Sequence, residues 1–242
     1  MTIRIKTLGI AAIAAIALTA CSGGGSGPSG DALPKVEAPA GQKWSQVVSA
    51  TQDGFVMGNP DAPLKLVEFA SPTCGVCAAF ANASNAELKG EFVDSGRVSV
   101  EIRPFMLNPF DLAVASIAAC GGTERFFPLM DNVFATQGEL MQTIQAGNQQ
   151  AGQAALQSQN FTAFASAFGI DTFFAARGMA ASDISTCLAN TEGVTRWQEA
   201  TQRNQEQFEI TGTPTFLLNG EVLTGAVSWD QVKERLQAAG AR

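Results

Sequence analysis

Leu64-Lys65-Leu66-Val67-Glu68-Phe69-Ala70-Ser71-Pro72-Thr73-Cys74-Gly75-Val76-Cys77 is the stretch that decides the fold. Residues 64–69 are apolar and short, and Asn59-Pro60-Asp61-Ala62-Pro63 before them is a turn signal, so they read as a strand. Ser71-Pro72-Thr73 breaks that strand, and an alanine-rich helix is expected from the cysteine motif to about Lys89. A Cys-x-x-Cys at a strand-to-helix junction has a specific consequence. The first sulfur lies beside the free N–H groups and positive dipole end of the helix, which favours its thiolate. The second lies one turn inside, within reach of the first and shielded from solvent. That is an attacking thiol with a resolving thiol. The competing reading is half of a zinc site, but zinc needs two more ligands. There is no His and no second Cys-x-x-Cys, and the remaining downstream cysteines lie 43 and 110 residues beyond Cys77. Redox chemistry at Cys74 and Cys77 is therefore expected, with no metal and no cofactor.

A second element supports this independently. Gly212-Thr213-Pro214-Thr215-Phe216-Leu217-Leu218 sets a proline at the head of an apolar strand, where it is tolerated, and Asn219-Gly220 follows as a tight hairpin signal. The Thr213–Pro214 bond is of the kind that a fold can lock as cis. Beyond the hairpin, Ser228 is a plausible N-cap for a helix from Trp229 to about Ala239. Composition excludes other chemistries. Zero histidines in 242 residues removes Ser-His-Asp and Cys-His sites and histidine zinc sites. A formal net charge of −7 argues against a nucleic-acid partner.

Taken together, the segments Val67–Cys77 and Gly212–Phe216 resemble the DsbA family of thioredoxin-fold thiol:disulfide oxidoreductases, over roughly Trp44 to the C-terminus. The resemblance implies an α/β thioredoxin-like fold with an inserted all-helical subdomain. It implies that Pro214 is cis and packs against the active-site sulfurs, and that Thr213 offers backbone groups to the substrate. It also implies that Glu68, six residues before Cys74, is a buried acid that accepts the Cys77 proton; an exposed strand glutamate is the other reading. Residues 44–104 and 210–242 would be the two parts of the thioredoxin fold and 105–209 the insertion. Plain thioredoxin matches less well, because Cys77 and Pro214 are 137 residues apart. Val98, Val100 and Ile102 alternate within a strand expected over 95–104. Helices are expected at 111–120, 124–136, 140–156, 161–168, 182–188 and 192–208. Only eight charged residues fall within 105–190, which suits a packed helical subdomain with glutamines on its wet face, or a weakly charged groove for unfolded clients.

The N-terminus reads as an address. Arg4 and Lys6 precede an apolar run, Leu8 to Leu18, too short to span a bilayer as a helix. Leu18-Thr19-Ala20-Cys21 resembles the bacterial lipobox, which implies a signal peptide at 1–20 and a lipid-bearing Cys21; an ordinary secretory signal is the alternative. Residues 21–43, rich in Gly, Ser, Pro and Ala, are expected to be a flexible tether. Disulfides persist in such an exported setting. With Cys21 lipidated and Cys74 and Cys77 catalytic, Cys120 and Cys187 remain. They are expected to form a structural disulfide, two buried free thiols being the alternative.

The expected activity is disulfide exchange with exported unfolded or thiol-containing proteins in the bacterial envelope, facing the periplasm. The outer membrane is favoured slightly for the anchor, since Ser22 is not the inner-membrane retention aspartate seen in some bacteria. A dithiol oxidase reset by a DsbB-like quinone-linked membrane partner leads. Gly75-Val76 lacks the imidazolium that the strongest oxidases of the family carry, so a reductase direction stays open. An isomerase is not expected, because Ser22–Lys43 is too short for the dimerisation domain of such enzymes. A non-catalytic, lipid-tethered peptide-binding module is the reading from a different class.

Overall fold

The computed structural model describes residues 31–242. The expected signal peptide and Cys21 lie outside the described residues. In chain order the elements are β1 (Val48–Ala50), β2 (Phe55–Gly58), β3 (Leu64–Ala70), α1 (Gly75–Glu87), β4 (Val98–Pro104), α2 (Pro109–Cys120), α3 (Gly122–Ala135), α4 (Gln137–Gln145), α5 (Gln149–Gln157), α6 (Phe161–Ala167), α7 (Ile170–Ala175), α8 (Ala181–Ala189), α9 (Thr191–Phe208), β5 (Thr215–Leu218), β6 (Glu221–Val222) and α10 (Trp229–Ala238). This is an α/β, DsbA-like thioredoxin fold with a helical insertion. No helix among the described residues is long and apolar enough to cross a membrane.

The sheet has six strands in the order β1-β2-β4-β3-β5-β6. β3 and β4 run parallel, with Leu64 opposite Val98 and Ala70 opposite Pro104. A parallel pair needs a crossover on one face, and α1 with the wide π-type turn Leu88–Val93 supplies it. β3 is central, buried at every position but Lys65, as expected of a strand covered on both faces. Its period of two sends Leu66, Glu68 and Ala70 to the main core and Val67 and Phe69 to a smaller cluster with Phe105, Ile210 and Leu217. At the other edge Asn219 and Gly220 both have positive φ, 52° and 89°. That is the backbone a two-residue hairpin demands, and it sets the register of β5 against β6.

Between β4 and β5 the chain is helical throughout. α2 begins at Pro109, with Asn108 accepting from the N–H groups of Phe110 and Asp111. The single helix expected over 140–156 is two. Gly147 lies against Phe168 with no room for a side chain, and Asn148 restarts the chain as the cap of α5. The short α7 follows Gly169, at φ 66°. Cys120 at the end of α2 is joined by a disulfide to Cys187 on α8, with Cα atoms 5.9 Å apart.

The free tether expected up to Lys43 is corrected for its second half. Leu33 N–H donates to Gly240 O, and Val36 N–H donates to Ser95 O, each at 2.9 Å. Arg97 Nε donates to Leu33 O at 2.6 Å and the Trp44 indole to Val36 O at 2.7 Å. Gly96, at φ +72°, lets this strap pass where a methyl would strike Val36. Composition concealed the strap because its ties are backbone groups, which any sequence carries.

Candidate active site

Cys74 is the N-cap of α1. Its backbone is extended, and its sulfur takes the place that a serine or aspartate oxygen fills at other helix starts, accepting from Cys77 N–H at 3.2 Å. Ser71-Pro72-Thr73 turns the chain out of β3 so that this cap stands at the C-terminal end of the sheet. Cys77, one turn on, is fully buried. Both cysteines carry free thiols in this structure. From the far end of the chain, the cis Thr213–Pro214 bond brings a third segment against them. The Cys74 thiol donates to Thr213 O at 3.3 Å.

The two sulfurs are driven in opposite directions. Cys74 is pulled down to about 5, first by the hydrogen bond with the Cys77 side chain, then by the Thr213 hydroxyl and the Cys77 and Val76 N–H groups, against the cost of its partial burial. Burial pushes the Cys77 thiol far up, and its bond to Cys74 and the nearby Glu68 push the same way. The two sulfurs are thus set apart, Cys74 toward the thiolate and Cys77 toward the thiol.

Glu68 lies on the main-core face of β3, between Ile102 of β4 and Phe216 of β5 in register. It is 5% exposed. Burial, then the charge on Cys74, raises its carboxyl to about 8. Oε1 has no hydrogen-bond partner among the described residues. The carboxyl borders a cavity of about 30 Å³ shared with Phe80, Ser84, Lys89, Asp131 and Phe134, room enough for a water.

Thus Cys74, Cys77, Thr213, Pro214 and Glu68 converge, while Cys120 and Cys187 lie apart in the helical subdomain. Sequence reasoning missed Asp111, Asn108 and Gln137, which hold the cysteine turn from the insertion. The Asn108-Pro109 cap signal was readable; the long-range contacts of Asp111 and Gln137 left no local mark. Among the described residues no group of three or more Cys, Asp or Glu is placed to hold a metal ion.

A family model described as "Thioredoxin" matches residues 50–238. The solved protein-disulfide isomerase of Novosphingobium aromaticivorans is 31% identical, with TM-score 0.72, over 77% of this chain and 97% of that one. Wolbachia pipientis alpha-DsbA1 shares the fold at 18% identity and TM-score 0.59, over 77% of this chain and 91% of that one. A Rickettsia felis protein named "Putative protein-disulfide oxidoreductase" is 26% identical over 190 residues, 76% of this chain and 59% of that one. The counterpart with this name in Rickettsia conorii is 30% identical over 111 residues, 43% of this chain and 40% of that one. The match thus spans from two fifths to three fifths of these two curated relatives.

Proposed function

This chain belongs to the thioredoxin family, and from that premise we propose that it is a DsbA-type thiol–disulfide oxidoreductase acting through Cys74 and Cys77, foremost as a dithiol oxidase of exported proteins. The observation that carries the reading is the placement of Cys74 as the cap of α1, its sulfur accepting from Cys77 N–H, with Cys77 wholly buried one turn inside, which draws the first thiol down to about 5 and pushes the second up. A low thiolate pKa makes Cys74 a good leaving group and stabilises the reduced pair, which makes the disulfide oxidising.

In the oxidase direction a client thiolate attacks Cys74 Sγ of the enzyme disulfide. The Cys74–Cys77 bond breaks, a mixed disulfide forms at Cys74, and the electron pair leaves on Cys77. That sulfur, unfavourable as an anion in its buried place, takes a proton, and Glu68 is the group beside it able to hold or give one. A second client thiolate then attacks the client's sulfur in the mixed disulfide. Cys74 leaves as the stabilised thiolate, and the client carries away a disulfide. Thr213 O, 3.3 Å from Cys74 Sγ, borders the space where the client backbone lies.

The client surface is weakly charged. Val76, inside the motif, is half exposed, as is Leu107. A groove of about 480 Å³ runs from Met106–Pro109 to Phe161, Thr195 and Gln198 and has no charged side chain in its lining. Its link to the nucleophile is Asn108, whose amide donates to Thr73 Oγ1 at 2.8 Å. Unfolded, thiol-bearing polypeptide suits such a surface. For location we propose the bacterial envelope on the periplasmic side, with Cys21 lipidated and the outer membrane favoured, and a DsbB-like quinone-linked protein as the partner that reoxidises the pair.

The Novosphingobium relative is named an isomerase, and that direction uses the same two sulfurs in reduced form. The reduction potential of Cys74/Cys77, equilibrated against glutathione buffers, separates the directions. A value above about −180 mV supports the oxidase. A value near about −270 mV, the thioredoxin range, would make it a reductase. Loss of turnover in Cys74→Ser separates either enzyme from a peptide-binding module, which would keep its function.

A further inference from the structure

The turn that presents Cys74 is held mostly by residues of the helical insertion. On one side stands Asp111, in the first turn of α2 and wholly buried. Its Oδ1 accepts from Ser71 Oγ at 2.8 Å, Thr73 N–H at 2.9 Å and Thr73 Oγ1 at 2.8 Å. Its Oδ2 accepts from Leu107 N–H at 2.9 Å. On the other side Gln137, the first residue of α4, donates Nε2 to Pro72 O at 2.8 Å and to Cys74 O at 3.0 Å. One residue is a pure acceptor facing donors, and the other is a donor facing carbonyls. Between them every residue from Ser71 to Cys74 is tied to a helix distant in sequence.

The tie has chemical consequences because the stabilisation of Cys74 is directional. The sulfur depends on the Cys77 N–H at 3.2 Å, and such a bond weakens steeply when distance or angle drifts. A turn anchored only through β3 and α1 could swing the sulfur out of the α1 N-terminus. We propose that Asp111 and Gln137 are positioning residues for Cys74: they clamp the 71–74 turn from both sides and hold the nucleophile in its thiolate-stabilising place. The insertion is on this view part of the redox centre as well as a wall beside it. The proposal rests on the reading of Cys74 as the attacking thiol.

The test is the pH profile of Cys74 alkylation by iodoacetamide in the reduced full chain, read at the Cys74 peptide by mass spectrometry. The variants are Asp111→Asn, Gln137→Ala and Gln137→Glu. The asparagine sets an N–H₂ against the Leu107 or Thr73 donors, and the glutamate sets an acceptor against two carbonyls. The expected result is a midpoint raised by about one pH unit or more, so roughly tenfold slower alkylation below the midpoint, largest for Gln137→Glu. Cooperative melting should persist. Midpoints equal to wild type in all folded variants would overturn the clamp while leaving Cys74 as the nucleophile. Should Asp111→Asn fail to fold, the two variants at the half-buried Gln137 decide alone. A wild-type midpoint near that of an ordinary thiol would overturn the parent reading and the clamp with it.

Discussion

Glu68 makes the stability of this protein depend on pH in a direction opposite to that of most carboxylates. Its folded value of about 8 stands above the ordinary 4.5 because the carboxyl is buried. Between those values the folded chain keeps a proton that the unfolded chain releases, so stability is greatest below pH 4.5 and is lost as pH rises toward 8. At about 1.36 kcal/mol per unit, the loss is roughly 1 kcal/mol by pH 5 and roughly 4 kcal/mol by pH 8. Glu68→Gln keeps the shape and cannot ionise. Any constant offset aside, its stability relative to wild type should therefore climb by roughly 3 kcal/mol between pH 5 and pH 8. For a chain of this size that is a relative gain in Tm of roughly 6–12 °C. The assay is thermal unfolding of both proteins with the Cys74/Cys77 pair reduced, the state to which the value of about 8 belongs, at half-unit steps across that range. Parallel curves would show that Glu68 ionises in the folded state as it does in water, and would refute its role as the proton holder for Cys77.

Four further outcomes follow from the geometry. Cys77→Ala removes the side chain that contributes most to lowering Cys74, so the Cys74 alkylation midpoint should move up from about 5 by at least a unit; an unchanged midpoint would show that the backbone N–H groups suffice. Cys74→Ser should abolish insulin-reduction and oxidase turnover without altering the melt, and residual turnover above background would contradict a nucleophile at this position. Replacing both Cys120 and Cys187 by Ala opens a disulfide spanning 67 residues and should cost about 4 kcal/mol in urea unfolding, with the reduction potential of Cys74/Cys77 unmoved. Gly96→Ala forces a methyl against Val36 and a left-handed backbone on alanine; trypsin should then cut at Lys35 or Lys43 faster, with turnover intact.

The parts of the site legible in the sequence were those whose chemistry is local. The strand of β3, the two cysteines and the Asn219-Gly220 hairpin each announce themselves within a few residues. Pro214 was readable because proline is confined to few places in a sheet. The resemblance then supplied the burial of Glu68, which strand periodicity alone left open. β1 and β2 escaped because strands of three and four residues are too short to show a period. The break between α4 and α5 escaped because its cause, Phe168 pressed on Gly147, lies about twenty residues away in sequence. Asp111 and Gln137 escaped for the same reason: an aspartate in a first helical turn reads as a dipole partner, and only the folded chain shows four donors aimed at it.

The strap at residues 33–36 also fixes where the two ends of the described chain meet. It is tied to Arg97, just before β4, and to Gly240, close to the last residue of the chain. β3 and β4 run side by side away from that end, and Cys74 follows the far end of β3. At roughly 3.3 Å per residue, the seven residues of β3 set the strap about 20 Å from the turn that carries the nucleophile. Both ends of the described chain therefore leave from the pole remote from the cleft. A bead or fusion partner joined at Arg242 is therefore attached on the side away from Cys74.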